Sequence, residues 1–536
     1  MFFFKGIIKI VFIFGGVLCF AKNCLAQDID TMMGDIDYIR NSNLWINSKN
    51  ATGLQYVPVE KISKAELGFQ KSNGGFKNYS QSDNSYGIGI NTESFYRLNR
   101  NTVLYGLVDY RQTQGKQMQG SVLIDNYSHP LSFEENADTT FGNKKLELLN
   151  LSGGISTAIS KRLLLGGKIV YQAADYAKFK DLRHINRLLN LNTDIGATYK
   201  MGKGLEVGLN YTYGKRIESV KFEIHGNTDK QYLVFLNYGS FYGRSELFSE
   251  GGYTSDKRPL VNNKHELTTQ AAVQINADLR LLNEFTVGKR TGYYGKKGSV
   301  EIMFTQHEAV NYSYTGTLQL KGDGKLQQLK LNGSFESLDN WEKVYKQENT
   351  QGGASSIVYY GQNKLLSQEI TDILLAYDAY FGVIRNNPKY FLKAAINYTN
   401  RNRLANLFPY YRKQDINSYS INVAANRNII KANYMVGFLF GIGYGAGNGL
   451  VKSDGIYQTP SEDQRPPTSR DAYLYQEYEF LTNPRVTFEP AIQYSRLVNN
   501  NTAAYIKLGT QYTKAFDVSY LRDSYNTASL SIGCFF

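Results

Sequence analysis

The sequence predicts an all-β protein, built as a single closed antiparallel transmembrane β-barrel. Three observations predict this fold: long runs in which apolar and polar residues alternate, tyrosine at the ends of the apolar faces, and an alternating run that continues to the last residue. The 536 residues include 42 Tyr and 49 Gly but only 10 Pro, a composition that favours one repeating architecture over several domains. The barrel is expected over residues 64–536.

The alternating runs are longer than the strands of soluble sheets. In LEVGLNYTYG, Leu205, Val207 and Leu209 share one face, and in the terminal NTASLSIGCFF, Leu530 and Ile532 do the same. The runs extend over about 10 to 15 residues, and a tilted strand needs about 9 to 11 to cross a bilayer. Because backbone groups in lipid must all be hydrogen-bonded, such strands have to close into a barrel. A secreted soluble β-sandwich or β-helix is the alternative.

The first 26 residues have the features of a secretory signal peptide. Lys5 and Lys9 precede an apolar run, and cleavage is expected after Ala26. A membrane-anchor helix is the alternative, but the run is short and Lys22 follows it. Because the signal peptide contains three Lys and no acidic residue, its removal lowers the net charge from +13 to +10. Its removal also leaves Cys534 as the only cysteine. No internal disulfide is therefore expected, and the dispersed basic residues predict no nucleic-acid partner.

Polar breaks divide the chain into an even number of strands, about 16 to 18, with 14 still open. Short turns are predicted at 98–102, 160–162, 201–204, 281–284, 321–325, 385–388, 426–428 and 481–485. Long connections are predicted at 116–143, 217–263, 341–367 and 447–470. Short periplasmic turns and long outer loops are typical of outer-membrane barrels. The expected location is the cell outer membrane, with its lipid and lipopolysaccharide and the barrel-assembly machinery as partners.

Residues 27–63 show no sustained alternation and form a separate N-terminal segment. The segment contains Trp45, one of two tryptophans, and tight-turn chemistry at Asn50, Gly53 and Leu54. A free periplasmic tail has no use for a large aromatic side chain, so the segment is predicted to pack inside the lumen as a plug. An ordinary ordered lead-in to the first strand is the alternative.

The polar faces of the strands supply candidate residues for the lumen. These candidates are Lys168, Lys393, Lys507, Asp109 and Arg111. They are expected to meet solute or to pair with one another. No histidine spacing matches a metal or catalytic motif, so no metal, no cofactor and no enzyme activity are predicted. His129, His225 and His307, near predicted loops, keep a membrane-embedded hydrolase open as an alternative.

Three segments carry a resemblance to a known family. NLWINSKNATGL, AELGFQKSNGGFKNYSQ and the terminal Phe536 resemble an uncharacterised outer-membrane β-barrel family of Bacteroidota, defined only as a domain of unknown function. SKNATGL is also similar to the N-terminal hatch element of long-chain fatty-acid transporter barrels, although Ala51 replaces its proline and Thr52 is β-branched. The resemblance implies a barrel with a hatch in its lumen. The terminal aromatic resembles the signal that the outer-membrane assembly machinery reads.

Three functions remain open at this point. The first is a channel or uptake route for small molecules, including hydrophobic ones. The second is an accessory or scaffold barrel beside a TonB-dependent receptor and a surface lipoprotein, and the third is the hydrolase. An apolar lumen pocket below the outer loops would favour the first function. A lumen packed shut by Lys–Asp/Glu pairs would favour the second.

Overall fold

The structure is a computed structural model that describes residues 34–124, 129–135, 140–202, 204–225, 229–248, 252–254, 258–349, 355–431, 433–499 and 502–536. The predicted signal peptide lies outside the described residues. The strands are β1 Lys61–Gly74, β2 Asn84–Arg97, β3 Thr102–Met118, β4 Ser132–Glu135, β5 Gly142–Ala158, β6 Leu163–Lys178, β7 Arg183–Gly202, β8 Leu205–Glu223, β9 Leu233–Asn237, β10 Tyr242–Leu247, β11 Leu260–Gln274, β12 Leu279–Gly295, β13 Met303–Gly322, β14 Lys325–Asn349, β15 Ser355–Phe381, β16 Tyr390–Leu407, β17 Tyr410–Ile430, β18 Tyr434–Ile456, β19 Thr468–Ser469, β20 Arg485–Asn499, β21 Thr502–Ala515 and β22 Ser524–Phe535. Eighteen of them form one antiparallel sheet, and β4, β9, β10 and β19 form a second, smaller one.

The large sheet closes between its first and last strands. β1 and β22 pair antiparallel, starting with Lys64 opposite Phe535. Beyond that pair, the Ser63 N–H donates to the Phe536 carbonyl at 2.9 Å, and the Phe536 N–H donates to the Ser63 carbonyl at 3.0 Å. The wall therefore has no unpaired edge strand. This confirms the closed antiparallel barrel, with 18 strands, the upper end of the predicted range.

Large apolar side chains cover the outer face of the wall. On β18, Phe438, Phe440 and Ile442 are between 44% and 54% exposed, whereas Gly437 and Gly441, at alternate positions, are buried toward the lumen. The same alternation recurs around the barrel, and it exposes far more contiguous apolar surface than a soluble monomer does. Lipid is the solvent for such a belt. The protein is an outer-membrane β-barrel, and the soluble alternatives are excluded.

The two edges of the barrel differ in their connections. At one edge lie the short connections 98–101, 159–162, 203–204, 275–278, 323–324, 382–389, 431–433 and 500–501, together with the start of β1 and the end of β22. The opposite edge carries the longer connections, among them 119–141, 224–259 and 457–484. Since short turns face the periplasm in barrels of this class, we name these the periplasmic edge and the outer edge.

Several predicted connections are wrong in position. Residues 281–284 lie within β12 and 426–428 within β17, while 481–485 lies at the outer edge. The predicted loop 341–367 is mostly strand, because β14 continues to Asn349 and β15 begins at Ser355. Register shifts after Asn340 and Val344 interrupt the alternation there, so the sequence pattern looked like a loop.

Helices lie inside the barrel at both ends. The plug, residues 34–60, contains α1 (Ile36–Asn41) and two 3-10 helices, Leu44–Asn47 and Ala51–Tyr56. The lid consists of the described residues of the connections 119–141, 224–259 and 457–484, and it contains the small sheet and α2 (Asp471–Thr482). Within the described ranges, no helix has the length and apolar character needed to cross a membrane.

Candidate functional site in the lumen

The plug lies in a groove that glycines open in the barrel wall. Gly166, Gly196 and Gly208 occupy lumen-facing positions on the adjacent strands β6, β7 and β8. A Cβ atom at Gly166 would lie 2.5 Å from the backbone nitrogen of Thr52, and one at Gly208 would lie 3.0 Å from the Trp45 ring. Any side chain at these positions would therefore displace the plug.

Asn50 is the polar anchor of the plug in this groove. Its amide nitrogen donates to the carbonyls of Ala197 and Leu209, at 3.1 and 3.2 Å, and to Gln270 Oε1 at 2.9 Å. Its amide oxygen accepts from the N–H and the hydroxyl of Thr52, at 3.1 and 2.9 Å. Because Asn50 is buried, each of these bonds replaces one that water would otherwise supply.

The other plug candidates are buried beside Asn50. Trp45 is fully buried against Ala272 and Leu282 of the wall, and its ring stacks on Tyr56. Leu54 belongs to a buried cluster that joins the plug to β1, β2 and β3. Gly53 packs directly on the Trp45 carbonyl, where a Cβ would clash. The four residues singled out in the sequence thus lie together at the interface between plug and wall.

The start of the plug contacts the opposite side of the lumen. The Arg40 guanidinium pairs with the buried carboxylate of Glu93 on β2. The Asn41 carbonyl accepts from Gln319 of β13 at 3.1 Å and from Gln328 of β14 at 2.7 Å. Asp35 caps α1, and its burial, followed by the repulsion of Asp37, raises its pKa to about 6. The plug therefore spans the lumen near the periplasmic edge.

A cavity of about 580 Å³ lies beside α1, between the plug and strands β15–β18, β20–β22 and β1. Its charged lining residues are Asp35, Asp37, Arg40, Lys64, Glu66, Asp378, Lys393 and Lys507. Lys393 and Lys507, two of the predicted lumen residues, are thus brought together, and both are exposed to the cavity. Both signs of charge are present, so the cavity does not have the apolar lining expected for a hydrophobic solute.

The other predicted lumen residues lie on the wall of the middle lumen. Arg111 Nε lies 3.1 Å from Asp109 Oδ1, so these two residues pair with each other. Asn150 donates to Asp109 at 3.2 Å, and Gln172 donates to Asn150 at 3.0 Å, which extends a polar ladder across β3, β5 and β6. Lys168 stands apart, with its ammonium 5.7 Å from the centre of the Tyr105 ring.

The lid has a hydrophobic core of its own at the outer edge. Its strands contribute Phe133, Val234 and Leu236, and the turn after β9 contributes Tyr238, all buried. The wall contributes residues such as Tyr294. The complete buried set is Val122, Leu123, Leu131, Phe133, Leu182, Val220, Phe222, Tyr232, Val234, Leu236, Tyr238, Tyr253, Leu260, Tyr294, Phe304 and Leu365. The lid is therefore a packed part of the fold.

Buried charges fix the lid to strands β5, β6 and β7. The carboxylate of Glu135 pairs with the ammonium groups of both Lys144 and Lys178, and His184 Nε2 lies 3.7 Å away. Burial opposes ionisation of Glu135, but its neighbours, Lys144 first, hold its pKa at about 2. Burial instead raises the pKa of the adjacent Glu134 to about 7, although Tyr79, Ser132 and Asn237 donate hydrogen bonds to it.

Further ion pairs fix the other side of the lid. Glu477 of α2 forms a bidentate pair with Arg401 of β16, with a shortest distance of 2.7 Å, and both side chains are buried. Arg412 of β17 binds Asp454 at 2.6 Å, and the same guanidinium donates to the Ser240 carbonyl of the lid at 3.2 Å. These partners are far apart in the sequence, so no local motif revealed them.

Glu479 extends these contacts to the last strands. Its carboxylate accepts from the backbone N–H groups of Ser519, Tyr520 and Leu521, in the connection between β21 and β22, at 2.6 to 3.0 Å. Together with the ion pairs above, this contact means that the lid is anchored to wall strands or connections on every side of the barrel.

Of the three histidines named for a hydrolase, His129 joins the lid to the wall. His129 lies buried in the lid with Nε2 3.0 Å from Glu218 Oε2, and buried His307 bonds Asn262 at 2.6 Å. His225 is exposed beside Glu223 at the top of β8. Across the ranges that the structure covers, no group of three or more potential ligand side chains could hold a metal ion.

Comparison with known proteins places these features in a family. No curated protein is similar in sequence to this chain. Among solved structures, the chain resembles the ferric preacinetobactin receptor BauA of Acinetobacter baumannii at 8% identity, covering 89% of this chain and 80% of the receptor, with a TM-score of 0.39. It resembles the outer-membrane transporter YddB of Escherichia coli at 6% identity, covering 88% and 81%, with a TM-score of 0.40.

A third similar structure is a mutant of the monoaromatic hydrocarbon channel TodX, at 11% identity, covering 91% of this chain and 92% of the channel, with a TM-score of 0.30.

The amino-acid sequence itself matches a protein family. The model of a family of unknown function, DUF6850, matches residues 51–536, which include the second half of the plug and the whole barrel. The chain belongs to this family.

Proposed function

We propose that the protein is an accessory barrel of an outer-membrane uptake system, with its own lumen closed at rest. The observation that carries the proposal is the anchoring of the lid to opposite sides of the barrel by buried ion pairs, such as Glu135 with Lys144 and Arg401 with Glu477. Breaking one member of a buried pair is costly, about 3–5 kcal/mol. A lid held by several such pairs does not open for each passing solute.

The partners expected for this role are a TonB-dependent receptor and a surface lipoprotein, which would contact the outer face of the lid. A photo-crosslinking residue at the exposed Glu462 in the connection 457–484 tests this in native outer membranes. A discrete crosslinked protein supports the role. The matched control is the same residue at Ile195, which is 66% exposed on the lipid face. A captured protein common to both sites, or none at Glu462, argues against it.

A gated uptake route for small molecules is the second candidate. The cavity of about 580 Å³ and the largely polar contacts of the plug favour it, because a polar interface can exchange its bonds with water when the plug leaves. The lining gives no support for a hydrophobic solute. The resemblance of the plug to the hatch of fatty-acid transporters stays a prediction.

Conductance across a planar bilayer separates the two candidates. The full chain and a variant without residues 27–60 are compared with a variant that also carries Glu135→Gln and Arg401→Met in the lid. The accessory role predicts silence from the first two proteins and conductance from the third. Conductance after removal of the plug alone would instead establish the uptake route, because solute would then have passed the intact lid.

A further inference from the structure

The periplasmic edge of the barrel carries a ring of basic side chains, which we call the basic collar. Its members are Arg100, Lys161, Arg162, Lys321, Lys325, Arg385, Lys389, Arg427, Lys431 and Arg496. All ten are exposed, and they lie in or beside six of the eight short connections. In the described parts of those six connections the only acidic residue is Asp323. The collar is therefore strongly positive.

The collar residues have no acidic partners within the described part of the chain. None of the ten lies within 4.0 Å of a carboxylate oxygen. Six lysines elsewhere on the wall do pair with neighbouring acids. These pairs are Lys145–Glu147, Lys221–Glu223, Lys289–Glu308, Lys296–Glu301, Lys364–Asp339 and Lys514–Asp523. The positive charge of the collar is thus not neutralised by ion pairs of this kind.

The collar coincides with the boundary of the lipid-facing belt. In each of the six connections, a basic residue lies within two positions of an exposed apolar side chain. These apolar side chains are Leu98, Ile159, Leu320, Ile384, Ile429 and Val498. Lys and Arg at such a boundary keep their stems against the hydrocarbon and extend their charges to the head groups. The collar therefore lies at the level of the head groups of the periplasmic leaflet.

We propose that the basic collar binds anionic phospholipid head groups of the periplasmic leaflet. Charge complementarity supports this occupant, since phosphate is the anion present at that depth and each Lys or Arg near an anionic surface is attracted to it. The circular distribution supports it too. A globular acidic partner would need its cations on one side, whereas the collar covers six of the eight short connections around the barrel.

Reconstitution of the full chain in vesicles made of equal parts zwitterionic and anionic phospholipid tests the proposal. The lipids that remain bound after mild extraction are counted by native mass spectrometry. The collar variant carries R100Q, K161Q, R162Q, K389Q, R427Q and K431Q. The control variant carries K145Q, K221Q, K289Q, K296Q, K364Q and K514Q, so both lose six positive charges. The collar residues are exposed and lack ion-pair partners, and the control residues form ion pairs near the surface that contribute little to stability. Both variants should therefore fold, as judged by heat-modifiable electrophoretic mobility.

Wild type and control are expected to retain anionic lipid in several-fold excess over zwitterionic lipid. The collar variant is expected to retain the two in the bulk ratio, and high salt should abolish the excess in all three proteins. An equal excess in wild type and collar variant would overturn the proposal. So would a loss in the control variant as large as that in the collar variant. Sedimentation with purified peptidoglycan that requires the collar, without lipid preference, would assign the collar to that polymer instead.

Discussion

Replacing Gly166 with alanine is expected to displace the plug from the wall. The new Cβ would lie 2.5 Å from the nitrogen of Thr52 and 2.7 Å from the carbonyl carbon of Ala51. Both neighbours are backbone atoms, so no side-chain rotation relieves the clash, and the plug itself must move. That movement also strains the Thr52–Thr198 hydroxyl contact, now 2.6 Å.

The size of the effect follows from the cost of overpacking, about 1–3 kcal/mol for an added methyl-sized group in a packed interface. Such a cost shifts the docking equilibrium of the plug by about 5- to 150-fold. Amide hydrogen exchange across the 3-10 helices of the plug should speed up by that factor, because exchange there requires the plug to leave the groove.

Tryptophan fluorescence gives a second measurement. In a Trp341→Phe background, Trp45 is the only tryptophan, and its fully buried ring should resist acrylamide quenching until Gly166→Ala exposes it. Gly153→Ala is the matched control, since nothing lies within 4 Å of its Cβ position on the neighbouring strand β5. If Gly166→Ala leaves both exchange and quenching unchanged in a folded barrel, the plug does not occupy the groove as described.

Three more predictions concern the lid and the seam. The free energy that Glu134 contributes to lid stability is full below pH 4.5 and is lost as the pH rises through about 7. The free energy that Glu135 contributes is full above pH 4.5 and is lost as the pH falls toward about 2. Amide protection of the lid should therefore be highest near pH 4.5 and should fall both toward pH 7 and toward pH 2. Glu134→Gln should remove the loss above pH 4.5; a Gln variant with the wild-type profile would contradict this. Arg401→Met should destabilise α2 by about 3–5 kcal/mol, as measured by amide hydrogen exchange, because Glu477 is left buried without its partner. Adding Glu477→Leu should recover most of that loss of stability. A double variant as unstable as the single variant would count against the ion pair. A chain without Phe536 loses both terminal hydrogen bonds of the seam and should give a smaller heat-modifiable folded fraction on assembly, while equal assembly would remove Phe536 from this role.

The wall of the barrel is predictable from sequence because each strand satisfies two local rules at once. Alternation sets which face meets lipid, and turn residues set where the chain reverses, so 18 strands follow within the predicted range. The rules fail where polar residues enter a strand near the water boundary, as at 281–284, or where the register shifts, as after Asn340. Neither feature changes the overall pattern, so the errors stay local.

The contents of the lumen are harder to predict. Trp45 and Asn50 can be singled out in the sequence because a large aromatic residue and a turn-forming amide are unusual in a tail. In the structure, both contact the wall. The groove that receives them depends on glycines of three strands. In the sequence, these glycines appear only as small residues on the polar face of each strand. Charged pairs such as Arg401–Glu477 depend on three-dimensional proximity between distant elements, which neither composition nor spacing encodes.

The small sheet of the lid has a consequence for the order of biogenesis. It pairs β4 with β9 and β10 with β19, and these strands come from three widely separated connections. Adjacent wall strands can associate as the polypeptide emerges, but β19 arrives only when three wall strands remain to be added. Until then, the small sheet lacks its last strand. Completion of the small sheet therefore marks a nearly finished molecule, and a probe that recognises it would distinguish mature protein from stalled intermediates.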